Sequence, residues 1–252
     1  MSHILLLSLV SNLNDNDGCH FISDNCICQY HFMSKHDALR PGARRYRGLA
    51  ADDRIRERRQ RFLSAGLECF GRHGYHGVTV RELCAQAQLT ERYFYESFKD
   101  REALFAAVYE NLVEQLRADF VAVAERSGNS LDALSRAGLR LFYQRLQQDR
   151  RVARMLLVEV LTVSSAMERR ALDATFGFGD LLIDLAGTRF NKPGVNAQQA
   201  RLIAAGLVGA AVQIAMRWTT ERNPQSVDAA VDAAMIFFGA GIRHSQPTLA
   251  AK

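Results

Sequence analysis

From about Asp53 onward, apolar residues recur at steps of three and four, and the alternation expected of strands is missing, so the pattern predicts helices. Phe62, Ala65, Cys69 and Phe70 mark the buried stripe of a first helix running from near Asp53 to His73, with Gly74 as its C′ glycine. Thr79 and Glu82 have the T-x-x-E spacing of a capping box, so a second helix begins just after Thr79 and buries Val80, Leu83, Cys84 and Ala87. The polar, weakly helical link Ala87-Gln88-Leu89 leads to Thr90, a second N-cap candidate. Glu91 to Phe98 allows about two turns of helix, and Phe94 and Phe98, at i and i+4, give it one buried face. Two short capped helices with a tight turn between them make a helix-turn-helix unit, whose second helix enters the DNA major groove.

Thr90, Glu91, Arg92, Tyr93 and Tyr95 lie off the Phe94/Phe98 side. An arginine there can grip guanine through O6 and N7, and tyrosine or threonine hydroxyls can reach phosphate oxygens. Lys99 and Arg101 follow the helix, where cations meet the DNA backbone. An ordinary helical hairpin with a solvated face is the alternative. Capping, spacing and flanking cations together favour DNA.

The runs His73-Gly74-Tyr75-His76-Gly77-Val78-Thr79-Val80-Arg81-Glu82-Leu83, Leu89-Thr90 and Phe94 to Leu104 resemble the DNA-binding domain of the TetR family of bacterial transcriptional regulators. The likeness covers roughly residues 54 to 110; the rest agrees in length and helical character. It implies that residues at the positions of Arg92, Tyr93 and Tyr95 face DNA and that the residue matching Lys99 holds phosphate. The candidate DNA contacts are therefore Thr79, Arg81, Thr90, Glu91, Arg92, Tyr93, Tyr95 and Lys99. Arg92-Tyr93 stands where many members have Gly-Thr, so base preference is not transferable.

At 252 residues, 48% hydrophobic and 23% charged, with four prolines, the chain has the composition of a soluble all-α protein of one large or two small domains. The net charge of +5 suits a polyanionic partner. Arginine distribution says more: Arg40, Arg44, Arg45, Arg47, Arg54, Arg56, Arg58, Arg59 and Arg61 crowd beside the reading unit. Residues 34–53 form a basic arm, broken by Pro41, Gly42 and Gly48, with Arg44, Arg45 and Arg47 as further DNA contacts along the minor groove or phosphates. A solvated charged tail is the other reading of that arm.

Residues 1–33 differ from the rest. Ile4 to Val10 is too short to span a bilayer and lacks signal-peptide flanks, and the Asn/Asp-rich run after it has no period. We expect translation to begin at Met33. Cys19, Cys26 and Cys28 with His20 and His31 match no zinc spacing, and Cys69 and Cys84 read as small buried hydrophobes in a reducing cytoplasm, so neither metal nor disulfide is expected. No nucleotide, nucleophile-elbow or zincin motif occurs, and no cofactor is expected.

The domains expected beyond the arm are a helix-turn-helix domain over 54–100, a connecting helix over 101–126, a helical effector-binding and dimerisation domain over 127–245, and a tail over 246–252. Apolar-periodic segments run over Leu131–Gln148, Arg150–Ser164 and Ala166–Phe190, the last interrupted around Phe176-Gly177-Phe178-Gly179. Leu207, Ala211, Ile214 and Trp218, then Ala234, Phe237 and Gly241, are expected on two terminal helices joining a homodimer, as the resemblance implies; the alternative is the core of one monomer. Phe142, Met155, Glu159, Phe176 and Phe178 are candidates to line an effector cavity, with Glu159 as the polar contact, although aromatic and Met stripes are usually packing and Glu159 could equally be solvated or paired with Arg154.

The reading is thus a cytoplasmic, dimeric, all-α repressor that leaves a palindromic double-stranded DNA operator when a small, largely apolar effector binds, with no membrane partner. A helical protein-interaction module is the alternative, and an enzyme is disfavoured.

Overall fold

The structure, a computed structural model, describes residues 43–128, 130–187, 197–220 and 226–244, with side chains from Asp52 to Gly241. Its helices are α1 (Ala43–His73), α2 (Val80–Ala87), α3 (Glu91–Ser97), α4 (Arg101–Arg126), α5 (Leu131–Gln148), α6 (Arg150–Leu157), α7 (Ser165–Ala186), α8 (Ala197–Thr220) and α9 (Val227–His244), with one 3-10 turn at Glu159–Leu161. No strand occurs among the described residues. The Met33 start, the residues Cys19, His20, Cys26, Cys28, His31 and Arg40, residues 34–42 of the arm and the tail lie outside them.

Helix boundaries follow local chemistry. Asp100, Ser130, Asp149 and Ser164 each accept a backbone N–H from the first turn they precede. Gly74 closes α1 at φ +78°, its N–H donating to the Phe70 carbonyl at 2.9 Å. Three segment expectations change. Helix α1 begins at Ala43, so residues 43–53 of the expected arm are helical. A single Gly48 costs only about 1 kcal/mol among strong helix formers such as Ala and Arg. Helix α7 runs unbroken through Gly177 and Gly179, because Gly179 is there for close approach: a Cβ would lie 3.2 Å from the Ala205 nitrogen of α8. The segment Arg150–Ser164 instead divides into α6 and the 3-10 turn, leaving Val158 and Leu161 exposed.

The side chains pack into two clusters. The first joins α1 to α4 and forms the head: Phe62, Phe70, Leu83, Phe94, Phe98, Leu104 and Phe105 are buried, and Met155, Val160 and Met167 reach into it from the body. The second holds the body, with Leu139, Tyr143, Leu146, Ala215, Trp218, Val231, Ala234 and Phe238. In the body α7 lies along α8, and α9 lies along both α5 and α8. Each fully buried large side chain contributes about 1.5–3 kcal/mol, so the α3 anchors Phe94 and Phe98 are held mainly by burial rather than by the helix's own seven residues. By length and composition α8 could cross a membrane, which is weak evidence in a helix packed on two others.

Candidate nucleic-acid interface

The start of α2 is built as its Thr79 cap predicts, while Thr90 stands at the N-cap of α3 without a side-chain capping bond. Thr79 Oγ1 accepts the Glu82 N–H at 3.2 Å and the Glu82 carboxylate accepts the Thr79 N–H at 2.7 Å, a complete capping box. Those bonds hold the Glu82 carboxyl below the usual carboxylate range. The turn between α2 and α3 rests on Gln88 in the left-handed region, φ 53°. Its geometry is held by Leu89 N–H donating to Cys84 O at 3.0 Å and by the Arg61 guanidinium donating to Ala87 O at 2.6 Å and Gln88 O at 3.1 Å. Phe62 sits under α3 as a T-shaped partner of Phe94 (5.5 Å) and Phe98 (6.2 Å).

Arginines of α1 fasten α3 from its flank. The Arg58 guanidinium lies 4.4 Å over the Tyr93 ring and 4.0 Å from the Glu96 carboxylate. Arg59 covers the Phe98 ring at 4.5 Å and donates to Ser97 O at 3.1 Å. Sequence reading grouped Arg58, Arg59 and Arg61 with the polyanion signal; the structure gives them the work of aiming the helix. The signal was present, since Arg58 and Arg59 fall four and three residues before Phe62 and so share its side of α1.

The candidate contacts fall into three groups. Thr79, Arg81, Thr90, Glu91, Arg92, Tyr95 and Lys99 are exposed, and Tyr95 stands 58% accessible despite its size. Thr90 makes no side-chain capping bond, so its hydroxyl is not consumed by the helix end. Arg92 is exposed but donates to Glu96 one turn on, Nε–Oε1 3.0 Å, an i,i+4 pair that is worth little in water and easily exchanged. Tyr93 departs from expectation: it is half-buried, its ring packed on the head core beneath Arg58, because at i−1 from Phe94 it borders the buried face. Arg44, Arg45 and Arg47 sit on α1 as backbone positions, and their side chains lie outside the description.

The five residues expected around an effector are not brought together. Phe142 alone borders a cleft of about 200 Å3 between head and body, which is lined also by Leu67, Leu112, Leu116, Leu146, Val152 and Leu156, with Gln115, Arg145, Gln148 and Asp149 as polar lining. Met155 is fully buried in the head cluster. Phe178 packs on Phe120 at 5.5 Å beside Arg117, and Phe176 is 47% exposed on the outer side of α7. Glu159 is buried, and its two oxygens are taken by Arg154 Nε and the Tyr75 N–H, both at 2.8 Å. Apolar periodicity marks a buried face without saying which neighbour meets it, and these four residues met other neighbours.

The expected dimer residues also divide. Ala211, Trp218 and Ala234 are buried in the body's own core, where Trp218 meets Tyr143 edge to face at 5.8 Å. That stripe packs against α5 of the same chain. Leu207, Ile214 and Gly241 are half-buried, with Gly241 facing Leu207, and Phe237 is exposed. The outer face of α8 and α9 is instead Leu202, Gly206, Gly209, Ile236 and Phe237; Ile236 is 70% accessible, and a Cβ at Gly206 or Gly209 would meet nothing within 4 Å. Tyr143, which sequence reading passed over, anchors this core by donating its hydroxyl to Ala211 O at 3.2 Å. Cys69 and Cys84 are buried free thiols whose burial pushes their pKa values up.

A stapled helix-turn-helix head on an all-helical body defines a DNA-binding transcriptional regulator. Residues 62–108 match the bacterial regulatory proteins of the tetR family. It is 28% identical over 188 residues to the HTH-type transcriptional activator FasR of Mycolicibacterium smegmatis, covering 75% of this chain and 84% of that one. It is 31% identical over 78 residues to the HTH-type transcriptional repressor Rv1474c of Mycobacterium tuberculosis, 31% of this chain and 40% of that one. The fold is shared with the transcriptional regulator FadR from Bacillus subtilis in complex with stearoyl-CoA, at TM-score 0.62 and 14% identity, covering 72% of this chain and 98% of that one.

Proposed function

We propose that this regulator is a cytoplasmic homodimer that represses from a palindromic operator and releases it when a largely apolar effector binds. The observation that carries the reading is α3: its outward face of Thr90, Glu91, Arg92 and Tyr95 is exposed, with Lys99 just beyond, while its inner face is pinned by Phe62, Arg58 and Arg59. A helix aimed so rigidly pays little ordering entropy on entering a groove. Arg92 is assigned to base edges and Tyr95 and Lys99 to phosphates.

Dimerisation is supported by the outer face of α8 and α9, where Leu202, Ile236 and Phe237 expose apolar surface beside glycines that admit close helix approach. Two-fold pairing there would present two reading helices to half-sites about one helical turn apart. The effector reading rests on the cleft lined by Leu67, Leu112, Leu116, Phe142, Leu146, Val152 and Leu156. Together with the stearoyl-CoA complex of the B. subtilis relative, this favours a long-chain acyl thioester as the first compound to try. The effector acts by population shift: it must bind the released conformation more tightly than the operator-bound one. Action is by binding, not by turnover.

The test is electrophoretic mobility of the DNA upstream of the protein's own gene, with the purified full chain and random-sequence competitor. A specific retarded band that stearoyl-CoA dissolves is expected. No specific band with upstream DNA or with fragments selected genome-wide would refute operator binding and favour a protein-interaction module. Activation in place of repression has the name of the M. smegmatis relative in its favour. In vitro transcription from the bound promoter decides between them.

A further inference from the structure

Glu159 is the one charged residue buried among the described residues, at 6% accessibility, and its surroundings tie the head to the body. Arg154 Nε donates to Glu159 Oε1 at 2.8 Å, and Arg154 Nη1 donates to the Arg72 carbonyl at 2.7 Å. Glu159 Oε2 accepts the Tyr75 N–H at 2.8 Å. One ion pair from α6 and the 3-10 turn thereby satisfies a terminal carbonyl of α1 and an N–H just past its end, groups that a helix terminus leaves without intrahelical partners. Gly74 lies against the pair: it needs φ +78°, and a Cβ there would come 2.8 Å from Arg154 Nη2 and 3.0 Å from Glu159 Oε1. Beside it His76 Nε2 lies 3.0 Å from the Thr162 carbonyl.

Burying the Glu159 carboxylate costs desolvation that offsets much of its attraction to the partly exposed Arg154, so the pair is a poor device for stability alone, but it fixes geometry. These bonds engage backbone on both sides of the bend that leads from α1 into α2. We propose that Glu159, acting through Arg154 and the Tyr75 amide, is a positioning residue for DNA binding: it sets the angle at which the reading head is held on the body. This rests on the operator-binding reading above. Removing the carboxylate leaves Arg154 held only through the Arg72 carbonyl and the Tyr75 N–H without its acceptor, so the head samples a range of angles while the Phe62–Phe94–Phe98 core inside it stays packed. In a dimer that range appears as loss of preference for one half-site spacing.

The experiment uses the full-length protein and a duplex selected by the wild type from a random pool, remade with two base pairs inserted or deleted between half-sites. Wild type should prefer the selected spacing about tenfold or more. E159A should flatten the preference to under threefold, and E159Q, which keeps an acceptor for the Tyr75 amide, should fall between. L134A removes a buried body side chain far from the bend in sequence and serves as the stability control: it should weaken all spacings alike and keep the preference. E159A with the wild-type spacing profile, its Trp218 fluorescence native, would overturn the proposal. If the wild type itself binds no duplex or prefers no spacing, the operator reading has failed separately. Hydrogen exchange in the free protein then decides: faster exchange over residues 72–78 of E159A with unchanged exchange in α5 supports the positioning role, and unchanged exchange over 72–78 overturns it.

Discussion

Phe62 is the side chain on which the aim of α3 depends, and its truncation gives the sharpest test of the head's construction. It is fully buried and stacks edge to face on both Phe94 and Phe98, the residues that give α3 its inner face. A buried Phe→Ala change costs about 3–5 kcal/mol, of which each aromatic pair accounts for about 0.5–1.5 kcal/mol. Phe62→Leu keeps most of the apolar contact and loses the edge-to-face geometry, so about 1–2 kcal/mol is expected. With a urea dependence of about 2–3 kcal/mol per molar, the Ala variant should shift the far-UV circular dichroism midpoint down by about 1–2 M and the Leu variant by about a third of that. The single tryptophan, Trp218, lies in the body core, so its fluorescence checks that the body remains folded under binding conditions. There, anisotropy with operator DNA should show a larger loss of affinity for Phe62→Ala than for Phe62→Leu. A cost below about 2 kcal/mol for Ala, or equal costs for Ala and Leu, would refute the view that this stack is what holds α3.

Further expectations concern the face, the turn and the acid response. Arg92→Ala should cost about 1–3 kcal/mol of operator binding and relax discrimination at one base pair, read from affinities for single-base operator variants; unchanged discrimination counts against its role. Lys99→Ala should weaken all sequences alike and reduce the salt slope of binding by about one unit, and a wild-type slope would remove it from the phosphate contacts. Gln88→Gly should raise stability by about 0.5–1 kcal/mol, because glycine adopts φ 53° without the Cβ clash; thermal melting reads the sign. Arg151 bonds to Glu68 and Asp149 and holds both carboxyls below their usual range. Their contribution is fully present above the unfolded-state values, about pH 4, and is lost as pH falls through the lowered folded-state ones. The Glu68→Gln, Asp149→Asn double variant should therefore lose stability at pH 7 and show a flatter decline than wild type between about pH 4 and 2. Parallel declines would exclude the two carboxyls as the acid-labile groups.

The head was legible because its instructions are local. A capping box needs only Thr79 and Glu82 three residues apart, a C′ glycine needs only Gly74 after a periodic run, and the inner face of α3 needs only Phe94 and Phe98 at i and i+4. The family resemblance rests on the same short-range pattern. Periodicity also correctly marked Ala211, Trp218 and Ala234 as a face to be buried. It could not say that α5 of the same chain covers that face, leaving Leu202, Ile236 and Phe237 outside. The same blindness separated Phe142 from Met155, Phe176 and Phe178, since each was buried or exposed by helices distant in sequence. Arg58, Arg59 and Arg61 looked like free cations until the fold brought Tyr93, Phe98 and the Ala87 carbonyl under them.

Glu159 shows where that limit comes from. Its partner Tyr75 lies 84 positions away in the chain, and its other partner, Arg154, reaches Arg72 across 82. Sequence alone could name the Arg154 pairing, five residues away, as one option among others. It could not place the end of α1 on that pair. Helix starts, stops and apolar faces follow from interactions within a few residues, and those the chain carries in plain sequence order. Which faces meet, which charges are buried and which arginines remain for DNA depend on packing between distant helices, where burial and desolvation energies are settled only by the folded neighbours.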